Sequence, residues 1–181
     1  SPSATSWRWA RHGAAEALQA LAKCEIEPIS KLRLRQEWLA LDQAKGDIEG
    51  IATAFFHISY VDWQEAEWEQ AIQAQEASLA YYRQVHNPNM IGMTSATLAN
   101  LFVYNGDLLR AGQCLNEGLE VYSEIGDETG VTMCWLVKSW LNIAEGLYLQ
   151  AAEALDQAER RNQWDEAAIL ALRSRLARLQ G

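Results

Sequence analysis

The stretch from Thr94 to Leu119 constrains the fold more than any other part of the chain, because two helical patterns flank a short break. It reads TSATLANLFVYNGDLLRAGQCLNEGL. Apolar residues recur at helical spacing on both sides, at Leu98, Leu101 and Phe102 before the break and at Leu108, Ala111, Leu115 and Leu119 after it. The dipeptide Asn105-Gly106 interrupts the first pattern, and Asp107 restarts it. The stretch therefore predicts a helix, a tight turn and a second helix.

Matching residues recur along the chain at a step of 40 positions. The dipeptides Gly46-Asp47, His86-Asn87 and Gly126-Asp127 follow this step. So do Ala71, Ala111 and Ala151, and also Leu39, Leu79 and Leu119, while Ala66, Gly106 and Gly146 mark the inner turns. One helical hairpin cannot bury both of its apolar faces, so hairpins repeated at this step predict a stack with a continuous core.

The order of large and small residues in these hairpins resembles the tetratricopeptide repeat (TPR) family. The residues that carry the resemblance are Leu98, Ala99, Phe102, Gly106, Leu108, Ala111, Leu115, Gly118 and Leu119. The resemblance implies an all-α solenoid of antiparallel helix pairs that forms a right-handed superhelix. A period of 40 residues is similar to the longer variety of the family. That variety is common in the sensor regions of bacterial signalling ATPases and of transcription activators of the maltose-operon type.

We expect a single repeat domain over residues 1–181. About four repeats are predicted, at 6–45, 46–85, 86–125 and 126–165, followed by a terminal helix over 165–180. Nine helices are expected, of which the first spans 5–23 and the second runs from about 28 to 44. Because the chain begins without Met, we expect it to be a piece of a longer protein.

The terminal helix is half a repeat, with Asp165 as its expected N-cap. Such a helix either caps the stack or exposes a face that a neighbouring part of a longer protein would cover. We expect apolar residues such as Ile169 or Leu172 to be exposed there. The same exposure predicts self-association of the chain through this helix.

Charge is distributed unevenly along the chain, whose net charge is −9. Residues 46–165 carry 18 acidic and 5 basic side chains, whereas the two flanks carry 6 acidic and 10 basic ones. An acidic body argues against direct nucleic-acid binding, which needs a basic surface. No apolar run approaches the roughly 20 residues of a membrane span, and the first residues show no signal peptide. These features predict a cytoplasmic protein that binds neither membranes nor nucleic acid.

No catalytic constellation and no phosphate-binding, metal or cofactor motif is visible, so we expect a non-catalytic protein without a cofactor. His12, His57 and His86 fall in different repeats, and each is expected at the surface or between helices. The three cysteines, Cys24, Cys114 and Cys134, are far apart in the sequence, and their spacing fits no metal-binding motif. Free thiols in a reducing compartment are the expected state of these cysteines, with a redox role as the alternative.

The candidate binding surface follows from the family resemblance, which places the first helix of each repeat along a concave groove. The positions carried over are Phe56, Tyr60, Trp63, Met93, Asn100, Tyr104, Met133 and Trp140, with Thr53, Ala96, Val103, Leu136 and Ile143 beside them. This surface is apolar and aromatic, with one amide in its middle. Family members that clamp a terminal carboxylate use Lys, Arg and Asn in the groove. Lys and Arg are absent from these positions, so no such clamp is expected.

Two alternatives stay open at the level of sequence. Trp63 and Trp140 either fill the gaps between long helices or line an open groove, since aromatic side chains bury large areas in both situations. Asn100 either recognises the backbone of an extended peptide or bonds a neighbouring helix.

These observations predict a protein- or peptide-binding module, the sensor or scaffold region of a larger bacterial signalling or transcription-regulatory protein. The alternative is a small-molecule sensor, with the aromatic groove stacking on a sugar or a similar effector.

Overall fold

The computed structural model describes residues 28–161 and 166–180, and within these ranges the secondary structure is helical throughout. The helices are α1 (Pro28–Lys45), α2 (Ile48–Gln64), α3 (Trp68–Gln84), α4 (Pro88–Asn105), α5 (Leu108–Ile125), α6 (Glu128–Ala144), α7 (Tyr148–Arg161) and α8 (Glu166–Gln180). The all-α class is confirmed, and the hairpins α2–α3, α4–α5 and α6–α7 match the repeats expected from 46, 86 and 126. The expected helix over 5–23, together with His12, Cys24 and Asp165, lies outside the described residues.

The turns between the helices recur at a step of 20 residues. From α1 to α7, each turn contains a residue with positive φ, between 51° and 82°, namely Gly46, Ala66, His86, Gly106, Gly126 and Gly146. At Gly106, the N–H of the next residue donates to the carbonyl of Phe102 at 2.9 Å, and the same bond recurs at Gly46, Ala66, Gly126 and Gly146. This is the hydrogen bond by which a left-handed residue satisfies the last carbonyls of a helix.

The residue after the turn starts the next helix at four of these places. Asp47, Asn87, Asp107 and Asp127 each accept a hydrogen bond from the backbone N–H three residues later, at 2.9–3.2 Å. A side-chain acceptor at this position satisfies a donor that the first helical turn leaves open. Two consecutive residues thus end one helix and begin the next. None of the helices described has the length and apolarity that crossing a bilayer requires.

The chain forms two compact units, one up to His86 and one from Asn87 onward. In the first unit, α2 packs against both α1 and α3. Its core contains Trp38 packed with Ala54, and it also contains polar side chains whose partners lie inside the unit. Gln75 is fully buried and accepts a hydrogen bond from the Ser59 hydroxyl. Because these polar groups are paired, their burial is compatible with a packed core.

In the second unit, small residues allow neighbouring helices to approach closely. Ala111 is fully buried, as its place in the 40-residue step predicted. A Cβ added at Gly118 of α5 would lie 3.3 Å from a backbone oxygen of α4. The buried ring of Tyr122 fills the space over Gly130 of α6, where an added Cβ would lie 2.2 Å from a ring carbon. Helix α5 therefore packs tightly against both α4 and α6.

Helix α8 covers the last hairpin, which corrects the expectation that its apolar face is exposed. Ile169 and Leu172 are only 3% and 5% exposed. The cluster beneath the helix consists of Ile143, Ala151, Leu155, Leu172 and Leu176. On its outer side, the guanidinium of Arg173 lies 2.7 Å from Asp156 and 2.5 Å from Glu159. The expectation was wrong because the α6–α7 hairpin has a second apolar face, and α8 is the element that covers it.

Candidate functional site

The candidate site lies in the second unit, where α6 packs against both α4 and α8. These helices enclose an open cavity of about 430 Å³, called the Trp140 cavity below. Its lining consists of Asn100, Met133, Leu136, Val137, Trp140, Ala171, Leu172, Arg175 and Arg178. The structure thus brings together three of the predicted site residues, Asn100, Met133 and Trp140. A cavity of this size falls in the range of ligand sites, and such sites combine apolar walls with a few polar groups.

Trp140 of the cavity lining contacts two further side chains, the Tyr104 ring and the Arg175 guanidinium. The ring of Tyr104, which is 47% exposed, lies 6.3 Å from the Trp140 ring, measured between centroids. The guanidinium of Arg175 lies over the Trp140 ring, 4.5 Å from its centroid. A guanidinium on an indole face is attracted by the ring quadrupole. Trp140 lines the cavity and contacts Arg175, and it also packs against the buried cluster beneath α8. Both alternatives for this tryptophan therefore stay predictions.

Asn100 presents an unusual polar environment at the same wall. Its side chain is half-buried, and its Oδ1 is excluded from solvent without a hydrogen-bond partner. Buried polar atoms in proteins are nearly always paired, so an unpaired Oδ1 is unusual. This oxygen forms no hydrogen bond that would link α4 to a neighbouring helix. Because Oδ1 is the buried end of the carboxamide, the amide nitrogen is the end that the cavity can reach. Both alternatives for Asn100 therefore stay predictions.

A second open cavity of about 460 Å³ adjoins the first. It is lined by Asn87, Asn89, Met90, Met93, Tyr122, Asp127, Thr129, Gly130 and Met133 and is called the Met93 cavity below. Met133 lines both cavities, and the two cavities are together called the groove below. Asn87 and Asp127 already cap helices here, and burial raises the pKa of the Tyr122 hydroxyl above its usual range.

The predicted site residues of the first unit form their own aromatic surface. Tyr60 and Trp63 make an edge-to-face contact with 5.7 Å between centroids, and Phe56 contacts His57 in the same manner. Tyr60 is 47% exposed, whereas Trp63 and Phe56 are half-buried. This arrangement leaves both alternatives open for Trp63.

Several further groove positions are filled by core residues instead. Ala96 is 1% exposed and Ile143 is 8% exposed, so neither lines an open surface. The hydroxyl of Thr53 is already paired with the Tyr82 hydroxyl at 2.9 Å. Ala96, Asn100 and Tyr104 are spaced four residues apart in α4 and therefore share one helical face. That face is buried near the middle of α4 and open near its end.

Two site residues were not predicted from the sequence, Arg175 and Arg178 of α8. The signal that could have found them is their spacing, since positions 171, 175 and 178 share one helical face. The spacing alone could not assign this face to the groove. The register of each full repeat follows from its hairpin turn, and the terminal half repeat has no such turn. Groove positions in the repeats lack Lys and Arg, but the helix after the last repeat adds both guanidinium groups.

The titratable groups in the described part of the chain include a buried thiol and a histidine ring beside a tryptophan. The thiol of Cys134 is fully buried, and burial, together with the Asp127 carboxylate, raises its pKa to about 12. A thiol in this state is protonated at neutral pH and is a poor nucleophile. The ring of His57 lies 5.6 Å from that of Trp38 in the first unit. Within residues 28–161 and 166–180, no three His, Cys, Asp or Glu side chains group as metal ligands do.

The fold and the site together define a class, that of all-α helical repeat proteins with an open groove. Comparison with solved structures gives 39 matching chains, among them the crystal structure of BtubC (BKLC) from P. vanneervenii. That match has a TM-score of 0.67 and 15% sequence identity over 74% of this chain, and the chain spans 56% of the length of BtubC. At this identity, the likeness concerns the fold alone. No family model and no curated protein matches the chain.

Proposed function

We propose that this chain is a non-catalytic binding module of the TPR type, whose second unit holds an extended peptide segment of a partner protein. The observation that carries the proposal is the groove itself, with Trp140 at its wall and the half-buried amide of Asn100 beside it. An amide donor among apolar and aromatic side chains suits a peptide, which offers backbone carbonyls and side chains in alternation. The buried, protonated thiol of Cys134 supports a structural role for that residue rather than a catalytic one.

The regularity of the turns supports the relation to the longer TPR variety. Positive-φ residues every 20 positions correspond to repeats of 40 residues. That variety is common in sensor regions, so we place the chain in a larger bacterial signalling or transcription-regulatory protein of the cytoplasm. In this proposal the groove reports the presence of a partner to an output region elsewhere in that protein.

The alternative function is a small-molecule sensor, and the Tyr104–Trp140 pair is the observation that favours it. Aromatic faces beside an amide also suit a neutral sugar ring. Titration of the full chain with short random peptides and with neutral oligosaccharides, followed by tryptophan fluorescence, separates the two functions. Saturable binding of oligosaccharides with no binding of peptides would replace the first proposal by the second.

Asn100→Ala tests the role of the amide. We expect the free energy of unfolding to stay within about 0.5 kcal/mol of the parent value, because Oδ1 has no partner to lose. Peptide binding should weaken, since the cavity loses a donor. Trp140→Ala should weaken it about ten-fold or more, as expected for a central aromatic contact. Leu149→Ala is the matched control, because Leu149 is 71% exposed on α7 and lines neither cavity.

The contrary outcome for Asn100 is equally specific. A loss of roughly 1–3 kcal/mol in Asn100→Ala, with peptide binding unchanged, would make the amide a structural group. Denaturant unfolding followed by circular dichroism measures the first quantity, and fluorescence anisotropy of a labelled peptide measures the second.

A further inference from the structure

The Trp140 cavity has a charge that its surroundings do not share. Its lining contains two guanidinium groups, Arg175 and Arg178, and no carboxylate. The chain as a whole has a net charge of −9, and residues 46–165 carry 18 acidic side chains against 5 basic ones. A local positive charge in an acidic protein attracts an anionic group to one place and disfavours cations there.

The two arginines of the cavity differ from their neighbours in how they are paired. Arg173, on the same helix, lies within 2.7 Å of Asp156 and also pairs with Glu159. Arg161 lies 3.5 Å from Glu128. Among the ion pairs of the described residues, none includes Arg175 or Arg178. Both guanidinium groups therefore keep their charge-assisted donors for a ligand.

Contacts within the protein hold these donors in position. The guanidinium carbon of Arg175 lies over the Trp140 ring, 4.5 Å from its centroid. A guanidinium can stack on an aromatic face and still donate from its N–H groups to a ligand. Nε of Arg178 donates to the backbone oxygen of Ser174 at 3.2 Å, which leaves its terminal nitrogens free. Asn100 adds an amide nitrogen to the same cavity lining. The polar groups of the cavity are thus donors that face apolar walls.

We propose that the peptide held by the second unit is acidic, with a Glu or Asp carboxylate placed between Arg175 and Arg178 and an apolar neighbour against Met133 and Leu136. This inference rests on the proposed function, and it names the ligand class of the same site. Charge complementarity selects the acidic residue, because both guanidinium groups and the amide nitrogen donate and none of them accepts. The apolar wall selects the neighbouring residue, since Met133 and Leu136 line the same cavity.

The test uses the full chain and three fluorescein-labelled libraries of short peptides. The libraries share one design, a fixed central residue followed by Leu within random flanks, and the central residue is Glu, Gln or Lys. All peptides carry a C-terminal amide, so that the central residue supplies the only designed difference in charge. We expect the Glu library to bind about ten-fold more tightly than the Gln library in fluorescence anisotropy, as one charge-assisted contact provides. The difference should shrink as salt rises to about 0.5 M.

Three variants locate the preference. Arg175→Gln and Arg178→Gln should each weaken the binding of the Glu library more than that of the Gln library, so that the preference for Glu over Gln shrinks. Arg160→Gln removes the same charge from an exposed position of α7 outside the cavity lining, and it should keep the preference. A preference that survives in both Arg175→Gln and Arg178→Gln would overturn the assignment to this cavity.

The remaining outcomes are distinct. Equal binding of the Glu and Gln libraries, or tighter binding of the Lys library, would overturn the acidic preference and leave the peptide-binding function standing. Binding of none of the libraries would overturn that function as well. A short polygalacturonate, an anionic sugar chain, is the last arm. If polygalacturonate binds, Arg175→Gln and Arg178→Gln weaken that binding, and no peptide library binds, then the ligand is an acidic sugar and the proposal of a peptide ligand is wrong.

Discussion

At the scale of single residues, Gly130 and Gly112 give opposite predictions for the same substitution. A Cβ at Gly130 would lie 2.2 Å from the Tyr122 ring, so Gly130→Ala should lower the free energy of unfolding by about 1–3 kcal/mol through overpacking. A Cβ at Gly112 would meet only Leu141 Cδ2, at 3.9 Å. Gly112→Ala should therefore stabilise α5 by up to about 1 kcal/mol, the helix preference of Ala over Gly. Urea unfolding of both variants checks the pair. Equal stability of the two would show that Tyr122 can move aside freely.

The raised pKa of the Cys134 thiol predicts how the free energy of unfolding depends on pH in the alkaline range. Burial raises the pKa of its thiol from 9.0 to about 12 in the folded state. The folded protein thus holds this proton more tightly than the unfolded chain, so the resulting stability is fully present below pH 9. It is lost between pH 9 and about 12, by roughly 1.4 kcal/mol per pH unit. Cys134→Ala should flatten this part of the stability curve, measured by unfolding at a series of pH values. An unchanged slope in the variant would assign alkaline unfolding to other groups, such as Tyr122.

At the scale of elements, α8 is the helix whose removal or repacking should matter most to the last hairpin. Leu172→Ala should lower the free energy of unfolding by about 2–5 kcal/mol, because the side chain is 5% exposed in the cluster with Leu155. Leu170→Ala, two residues earlier on the same helix, is the control. Leu170 is 57% exposed, so its loss should cost less than about 0.5 kcal/mol. Similar losses in both variants would mean that α8 packs through a different face.

Self-association through α8 stays a prediction, but its residue basis changes. Ile169 and Leu172 are covered by the chain itself, so they are not available to a second copy. The apolar side chains that remain outward are Leu170 and Leu179, at 57% and 46% exposure. Sedimentation equilibrium of the chain and of a Leu170→Lys variant compares the two. Association that persists unchanged in the variant would place the contact elsewhere.

At the scale of the whole molecule, equivalent turns recur every 20 residues, and a turn is expected to be strained where its positive-φ residue is not Gly. Ala66 has a φ of 61°, a backbone conformation that costs a residue with a Cβ about 1 kcal/mol. Ala66→Gly should therefore raise the free energy of unfolding, by about 0.5 kcal/mol after the greater freedom of Gly in the unfolded chain is counted. Thermal and urea unfolding measure the gain.

The reverse change at Gly106 is the control for the turn series. Its φ is 82°, and an added Cβ would meet nothing within 4 Å, so the cost of Gly106→Ala is conformational alone. We expect a loss of about 1 kcal/mol. If Ala66→Gly destabilised the protein and Gly106→Ala did not, the two turns would not be equivalent members of one repeat.

Much of the fold could be predicted because the decisive interactions are local in sequence. A left-handed residue such as Gly106 and an acceptor such as Asp107 end one helix and begin the next through bonds to residues three to five positions away. A chain that repeats the left-handed residue every 20 positions from 46 to 146, with an acceptor after it at four of these six turns, specifies its own hairpins. The same local logic fixed the start of α4 at Pro88. The candidate site was predictable to the extent that Asn100, Met133 and Trp140 occupy equivalent faces of hairpin helices.

The sequence by itself therefore determined the all-α class, the helix boundaries and the turns of this protein, since each depends on neighbours along the chain. Only the tertiary structure decided that Ala96 and Ile143 are core, that α8 covers Ile169 and Leu172, and that Arg175 and Arg178 face Trp140. These outcomes depend on how far and at what angle one helix crosses another. Those quantities are set by side-chain volumes summed over several helices, such as Tyr122 against Gly130. A helical wheel contains no such information, because it gives the direction of a side chain but not the surface that meets it.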